Sequence, residues 1–390
     1  HLIFKTGRRD LLSNWRFLFI RSQFGLVHEA LLSGRIKPIL WASHQPNQSG
    51  YKRSCDDPVL VLYELARFAV EANTPLYILL GDFKRAFPST WREDLITIMA
   101  EVAKLKDGCL HLLIDMLKYD CVTVQHGNSR TVRIEQGLPE GGVIGPMGYL
   151  SLADSLLRVL NSSTSCVAMM HADDPLCANF SRHDMQNCLN IIGDWSCSHG
   201  ASFHSSDNKT VIAVIGGAKD DCTIPFTLPG PRGMASELSF LFGHKKYLGW
   251  LYGPTGGAEQ TLDLRLRLAS GRFAVLNGLV KSGALPLAFA LPLFESVVDS
   301  CLAQYRWLYI VADSAKGRLD AQLASWAKSL LSASPFVTGT IHRWELGWGL
   351  SGFARAILDM CRKRARLWAL PDDDFYKQYF VWAHHSCNTS

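Results

Sequence analysis

Three acidic residues have the type and setting to hold metal and move phosphate: Asp82, Asp173 and Asp174. Asp82 closes an apolar run of strand length, Leu76 to Leu80. Asp173 and Asp174 lie between two further apolar runs, Cys166 to Met170 and Leu176 to Phe180, which places them at the tip of an expected hairpin. Joining nucleotides uses two divalent ions about 3.5–4 Å apart, one activating the attacking hydroxyl and one holding the leaving phosphate. Magnesium takes carboxylate oxygens and keeps several waters. A strand-end carboxylate beside a hairpin-tip carboxylate would supply such a site, with Asp82 and Asp173 in shared reach of one ion pair. Singly, each piece is ordinary. An Asp after a strand is most often a turn former, and an Asp pair in a hairpin is most often solvated. Their order along the chain, with the segments between them, gives them weight.

The elements that must position these groups can be read in outline. Pro58 to Ala72 has apolar residues at helical spacing. Thr90 to Lys104 reads as a helix, with Thr90 as cap and Glu93 three residues on. Cys121 to Gln125 and Arg130 to Ile134 read as a hairpin turning through His126, Gly127 and Asn128. Gly145 to Leu160 and His183 to His199 read as helices, and Lys209 to Ile215 and Lys246 to Leu251 as short strands. Prolines and glycines cluster from Pro225 to Gly233. Beyond Glu259, the stretches Glu259 to Lys281, Ala288 to Ala312 and Lys316 to Ala333 all carry helical periodicity. An α+β front half is therefore followed by an all-helical tail.

Composition excludes several classes. The chain has 390 residues, of which 48% are hydrophobic, well above the range of disordered chains. This length usually divides into two or three cores. A net charge of +5 permits a polyanionic partner without demanding one. Eleven cysteines with no C-x-x-C pair read as a chain of a reducing compartment, mostly small buried hydrophobes rather than a disulfide framework. The longest apolar run, Ala284 to Phe294, falls short of the ~20 residues a membrane span needs. The first residue is His1, which reads as a piece of a longer chain.

A resemblance becomes specific in the segments around the three aspartates. The run Leu80-Gly81-Asp82-Phe83-Lys84-Arg85-Ala86-Phe87 resembles the first palm motif of reverse transcriptases, D-x-x-x-A-F. Gly137 to Pro146 resembles the pattern G-x-P-Q-G-S-x-x-[SG]-P, and His171-Ala172-Asp173-Asp174 resembles the Y-A-D-D box. In family order, Asn14-Trp15-Arg16 resembles a fingers motif. Gln48-Ser49-Gly50-Tyr51 with Asp57 resembles Q-S-G-F…D. Asn208-Lys209-Thr210 resembles N-x-K-T, and Lys246-Tyr247-Leu248-Gly249 resembles the Y-L-G of a primer grip. The chain is thus similar to the reverse transcriptases of non-LTR (LINE-type) retrotransposons over roughly residues 1 to 255.

The resemblance implies an α+β right-hand polymerase with fingers, an antiparallel-sheet palm and an all-helical thumb. Fingers would cover 1–74, palm with inserted fingers elements 75–255, thumb 256–335, and a helical extension 336–390. It implies an RNA-directed DNA polymerase adding dNTPs to a primer 3′-hydroxyl on an RNA template, with two Mg²⁺ ions for which Mn²⁺ can substitute. Asp82, Asp173 and Asp174 would hold the metals. Lys209 would sit near the triphosphate and protonate pyrophosphate. Phe87 would exclude a 2′-hydroxyl, Gly141 would let template or nucleotide approach closely, and Arg16 would meet phosphates. It also implies an intracellular place, in the nucleus and cytoplasm of a eukaryotic host, and no membrane partner.

Four positions depart from the family pattern. Phe17 stands for Pro, Glu140 for Gln, His171 for Tyr, and Pro175 for a β-branched residue. Glu140 would need a cation such as Arg16 or Arg85 to offset it. A decayed copy that keeps the fold and only nucleic-acid binding is the alternative reading. Elsewhere, the basic run Cys361 to Arg366 reads as a solvated helix face or a phosphate or import patch. Arg265, Arg267 and Arg272 could track a duplex backbone. His384, His385 and Cys387 lack the partners of a zinc knuckle. Trp195, Trp250, Trp307, Trp326 and Trp348 read as core.

Overall fold

The structure is a computed structural model. It describes residues 2–4, 7–11, 14–17, 19–20, 22–118, 121–124, 130–204, 209–217, 222–230, 233–253, 257–334, 336, 338–348 and 350–388. Contacts divide it into two units: residues 1–241 with 386–390, and residues 242–385.

The first unit is built on a six-stranded sheet. In chain order its elements are β1 (Leu2–Phe4), β2 (Trp15–Phe17), α1 (Gln23–Ser43), α2 (Asp56–Glu71), β3 (Leu76–Leu80), α3 (Ala86–Ser89), α4 (Arg92–Glu101), α5 (Asp107–Lys118), β4 (Cys121–Val124), β5 (Arg130–Arg133), α6 (Ile144–Ser163), β6 (Val167–His171), β7 (Asp174–Asn179), α7 (Arg182–Ser198), β8 (Val211–Ile215), β9 (Phe226–Pro229) and β10 (Ala235–Phe240). The sheet order is β6-β7-β3-β8-β10-β9. Every neighbouring pair is antiparallel except β8–β10, which is parallel. Strand β3 lies in the interior, and all five of its residues are buried, as its unbroken apolar sequence requires. A single core joins one sheet face (Tyr77, Leu79, Ala168, Met170, Cys177, Ile212) to helices α1, α4, α6 and α7. Fully buried Leu156, Leu157 and Ile192 mark where α6 and α7 cover that face.

Several sequence expectations shift. Helix α1 has no reading in the sequence pattern. Its buried face (Leu32, Ile36, Leu40) is opposed by exposed Phe24, Val27 and Leu31, so no one-sided stripe exists to detect. Thr90 does not cap α4. Its hydroxyl donates to Ala86 O at 3.2 Å, and Trp91 stands at the N-cap without a side-chain bond. Strand β9 lies inside the Pro/Gly-rich stretch and β10 follows it, so neither shows as a strand in the sequence pattern. The β4–β5 turn lies outside the described residues. Of the ten cysteines described, four are buried and three are exposed, fewer buried than their small apolar character suggests.

The second unit comprises β11 (Lys245–Tyr247), β12 (Trp250–Tyr252), α8 (Ala258–Lys281), α9 (Leu287–Leu293), a π-helical turn (Phe294–Asp299), α10 (Ser300–Ala303), a 3₁₀ turn (Arg306–Val311), α11 (Ala315–Leu330), α12 (Gly339–Glu345), α13 (Gly352–Trp368) and, up to residue 385, α14 (Phe375–Asn388). The strand expected from Lys246 to Leu251 is instead a tight hairpin. Its central pair, Leu248 (φ 49°) and Gly249 (φ 92°), both take left-handed backbone, as a type I′ turn requires. The helix expected from Ala288 to Ala312 is broken into four pieces, with Pro292 inside α9 removing a helical donor. Aromatic stacking fills this core: Phe273 on Trp326 at 5.3 Å and Phe294 on Trp348 at 4.1 Å. All five tryptophans read as core are buried. The basic run on α13 is divided: Arg362 and Arg366 are exposed on the solvated face, whereas Lys363 is buried and Arg364 half-buried. Lys363 is buried over the Trp307 ring, Arg364 lies over Phe380, and Arg362 pairs with Asp359. No described helix is long and apolar enough to cross a membrane.

Candidate active site

Sheet register brings the aspartates together. Leu80 of β3 pairs with Leu176 of β7, and the ladder runs one rung further, with Gly81 N–H donating to Pro175 O at 3.0 Å. Continuing that register sets Asp82 opposite Asp174, at the end of the sheet where the β6–β7 turn lies. That turn is Ala172–Asp173, flanked by the pair His171–Asp174. All three aspartates are half-buried. The Asp82 backbone is pinned on both sides: its N–H donates to Thr210 Oγ1 at 3.3 Å, and its carbonyl accepts from His204 N–H at 2.9 Å. Thr210 is buried, and its neighbour Lys209 is exposed, with Nζ 3.5 Å from His204 Nε2. Lys209 is thus carried to the same sheet end as Asp82. Asn208 lies outside the described residues.

Pro175 alters this ladder in a definite way. Its carbonyl faces Gly81, so in an antiparallel pair its missing N–H would also have faced Gly81. The last rung beside Asp82 therefore has one hydrogen bond instead of two. Gly81 accommodates the ring: a Cβ there would come within 2.7 Å of Pro175 Cγ.

Aromatic residues lie near the hairpin tip. Phe87 is half-buried and stacks on Tyr149 with ring centroids 5.2 Å apart. Tyr149 is buried, and its phenol pKa is pushed well above the ordinary value, first by burial and then by the charges of Asp173 and Asp174. Burial, then Asp173, also raises the Tyr51 phenol. His171 is pushed down by burial, against the pull of Asp173. The Asp173 carboxylate is therefore within electrostatic reach of Tyr51, Tyr149 and His171.

The segment from Gly137 to Val143 docks beside Phe87. Leu138 N–H donates to Phe87 O at 2.9 Å and Gly137 N–H to Thr90 O at 2.8 Å. Buried Arg92 ties down the start of this segment through Gly137 O at 2.8 Å, and the chain leading into it through Ile134 O at 2.8 Å. At Gly141 (φ 111°) the backbone that approaches closely is the chain's own: a Cβ would lie 2.8 Å from Phe19 O. Phe19 N–H in turn donates to Glu140 O at 2.9 Å. Glu29, buried on α1, accepts from Val143 N–H at 2.7 Å at the start of α6, where the helix dipole favours a carboxylate. Arg85 is exposed on left-handed backbone. The Arg16 backbone pairs with Ile3 in the β1–β2 ladder, but its side chain, with any contact to Glu140, lies outside the described residues.

A family model for the reverse transcriptase (RNA-dependent DNA polymerase) matches residues 3–246. The chain belongs to that family. Solved structures similar to this reverse transcriptase family member are distant in sequence. Telomerase from Candida albicans with a fragment of telomeric RNA is 14% identical, with a TM-score of 0.43, over 83% of this chain and 58% of that one. Apo telomerase from Candida tropicalis is 11% identical, with a TM-score of 0.44, over 90% and 61%. The same enzyme truncated from its C-terminal domain is 12% identical, with a TM-score of 0.41, over 61% and 48%. The chain spans less than two thirds of the length of each. No curated protein matches it.

Sequence reading named the aspartates, Phe87 and the Gly137–Val143 segment. It gave no role to Tyr149, Glu29, Arg92, Thr210 or Gln48. Thr210 and Gln48 stood inside quoted motifs; Tyr149 and Glu29 carry no spacing signal. Arg265, read as following a duplex, instead donates to Gly249 O at 3.0 Å and Gln304 Oε1 at 2.5 Å, fastening the β11–β12 turn. Arg267 donates to Asp263 O on its own helix, and Arg272 to Val297 O. Of the zinc candidates, the side chains of His384 and Cys387 lie outside the described residues. No group of three or more His, Cys, Asp or Glu suited to hold a metal ion occurs among the described residues.

Proposed function

We propose that this chain is an active RNA-directed DNA polymerase of the non-LTR (LINE-type) kind, adding dNTPs to a primer 3′-hydroxyl. The observation that supports the reading is the strand register, which carries the backbones of Asp82, Asp173 and Asp174 to one end of the sheet. Phe87, five residues beyond Asp82, stacks on Tyr149 and bonds the Gly137–Val143 segment. The ordered motifs from Asn14-Trp15-Arg16 to Lys246-Tyr247-Leu248-Gly249 support the LINE-type assignment. Under this reading the fingers cover 1–74, the palm 75–255, the thumb 256–335 and a helical extension 336–390. The partners are an RNA template, a DNA primer and dNTPs, in the nucleus and cytoplasm of a eukaryotic host.

The donor set suits magnesium. Asp82, Asp173 and Asp174 offer hard carboxylate oxygens, and the ion keeps waters and takes substrate phosphate oxygens, so no ready-made protein cage is needed. When bound, two such ions supply activation of the hydroxyl and charge stabilisation of the leaving phosphate. The chain's own residues do the rest. The Phe87 ring, braced by Tyr149, fills the space a 2′-hydroxyl would need. Lys209 Nζ is the proton source for the leaving pyrophosphate. Gly141 lets the Gly137–Val143 segment lie flat against Phe19 beside the nucleotide, and Arg16 meets phosphate.

One observation favours a second reading. Pro175 leaves the rung next to Asp82 half-bonded, as a decayed copy that keeps only nucleic-acid binding would tolerate. Primer extension on poly(rA)/oligo(dT) with Mg²⁺ separates the two. The active reading expects extension by the wild type and none by Asp173→Asn, with template–primer affinity nearly unchanged, since duplex affinity comes mainly from Lys and Arg. A wild type that binds template–primer without extending it would establish the decayed copy. An Asp173→Asn variant extending at the wild-type rate would remove Asp173 from the chemistry.

A further inference from the structure

The Asp173–Asp174 tip is held by a segment far from it in sequence. Residues 47–50 run beside the outer edge of β6. Met170 N–H donates to Asn47 O at 3.0 Å, and Ser49 N–H donates to Met170 O at 2.8 Å. Ser49 Oγ lies 2.9 Å from His171 Nδ1. Gln48 sits at the centre and is 1% exposed. Its Oε1 accepts two backbone N–H groups, from Ala172 at 3.1 Å and from Gly50 at 3.0 Å. Two donors facing one atom fix that atom as the carbonyl oxygen, which turns Nε2 toward Ala172 O at 3.5 Å.

Ala172 is the residue so gripped, and it needs gripping. Its φ of +59° is left-handed, a conformation an alanine keeps only when its surroundings hold it there. It joins His171 to Asp173, so any relaxation of its backbone swings the Asp173 carboxylate. The approach is close: a Cβ on Gly50 would lie 2.4 Å from Ala172 N.

We propose that Gln48 is a positioning residue for the polymerase reaction: by bonding both the N–H and the C=O of Ala172, it locks the hairpin tip in the one conformation that aims Asp173 at the shared metal site. The inference rests on the polymerase reading above. Gln48 touches no reacting atom and acts only through Ala172. A misplacement of about 1 Å at a reacting centre costs on the order of 10²-fold in rate, which sets the expected scale.

The test uses the full chain with Gln48→Met, which keeps the volume and removes both bonds to Ala172 together with the one from Gly50 N–H, and Gly50→Ala, which keeps Gln48 and pushes on Ala172. Primer extension is measured on poly(rA)/oligo(dT) while Mg²⁺ is titrated, and Mn²⁺ binding to the chain without nucleic acid is followed by electron paramagnetic resonance. Thermal melts report folding. For Gln48→Met, kcat should fall at least tenfold and the Mg²⁺ half-saturation and Mn²⁺ Kd should rise severalfold. The dNTP KM and template–primer Kd should stay within twofold, a split that a general loss of structure would not produce. Gly50→Ala should show the same split, and it decides the matter if Gln48→Met does not fold. A folded Gln48→Met with wild-type kcat and metal dependence would overturn the proposal while leaving the polymerase reading intact. If the wild type does not extend primers, Mn²⁺ binding decides: loss in both Asp173→Asn and Gln48→Met supports the lock, and unchanged binding in Gln48→Met overturns it. A wild type with no Asp173-dependent Mn²⁺ binding would overturn the metal-site reading and this one with it.

Discussion

Phe87 shows how a single residue gains meaning from its support. As an isolated ring it could rotate, but stacking on Tyr149, itself buried, fixes its plane. Phe87→Val should therefore open the space the ring fills and admit ribonucleotides. Comparing kcat/KM for dNTP and rNTP in both proteins checks this, and an unchanged ratio would rule Phe87 out as the gate. The candidate site was largely legible at this scale because carboxylates at strand ends and turn tips are set by local pattern. The supporting residues were not. Tyr149 and Glu29 lie on helices whose residue types say nothing of what they face, and their roles appear only once α1 and α6 are packed.

Helix α1 is fastened to α6 partly through His44, the residue that ends it. His44 Nε2 lies 3.0 Å from Ser151 Oγ, and burial, reinforced by Lys52 and Arg158, pushes its pKa down to about 3. The folded chain thus refuses a proton that the unfolded chain accepts near pH 6.5. This contribution to stability is fully present above about pH 6.5 and is lost as pH falls toward 3. Between pH 7.5 and 4.5, the wild type should lose about 2–3 kcal/mol more than His44→Gln, which keeps a partner for Ser151. Urea melts at the two pH values measure it, and equal losses would sink the argument. Elements were legible where one period dominated: β3, the β6–β7 hairpin, α7 and α8 lie within a few residues of expectation. They were hidden where two demands overlapped. Helix α1 is apolar on both faces, and β10 follows a Pro/Gly stretch and then pairs in parallel with β8, a partner that local sequence cannot name.

For the whole molecule, the division at residue 241 carries a prediction. Among the described residues, the core on the sheet's helix-covered face runs from Leu32 to Leu238, with Phe240 packed against it, all within the first unit. A chain cut after Leu241 should therefore fold and unfold in a single sharp thermal transition by circular dichroism. A broad, featureless melt would show that the first unit depends on the rest of the chain.

The segment beside β6 has a second effect, unrelated to metal. A sheet's outermost strand is a row of unused donors and acceptors, open to any foreign strand that drifts against it. Here β6 and β9 are the two ends of the sheet. On β6, the outward groups at Ala168 and Met170 are taken by Asn47 and Ser49. β9 is only four residues long, and Pro229, which offers no donor, ends it. Neither margin presents a long bare ladder, so the sheet resists growing by recruiting another chain. Loosening residues 47–50 would expose the β6 margin and promote aggregation.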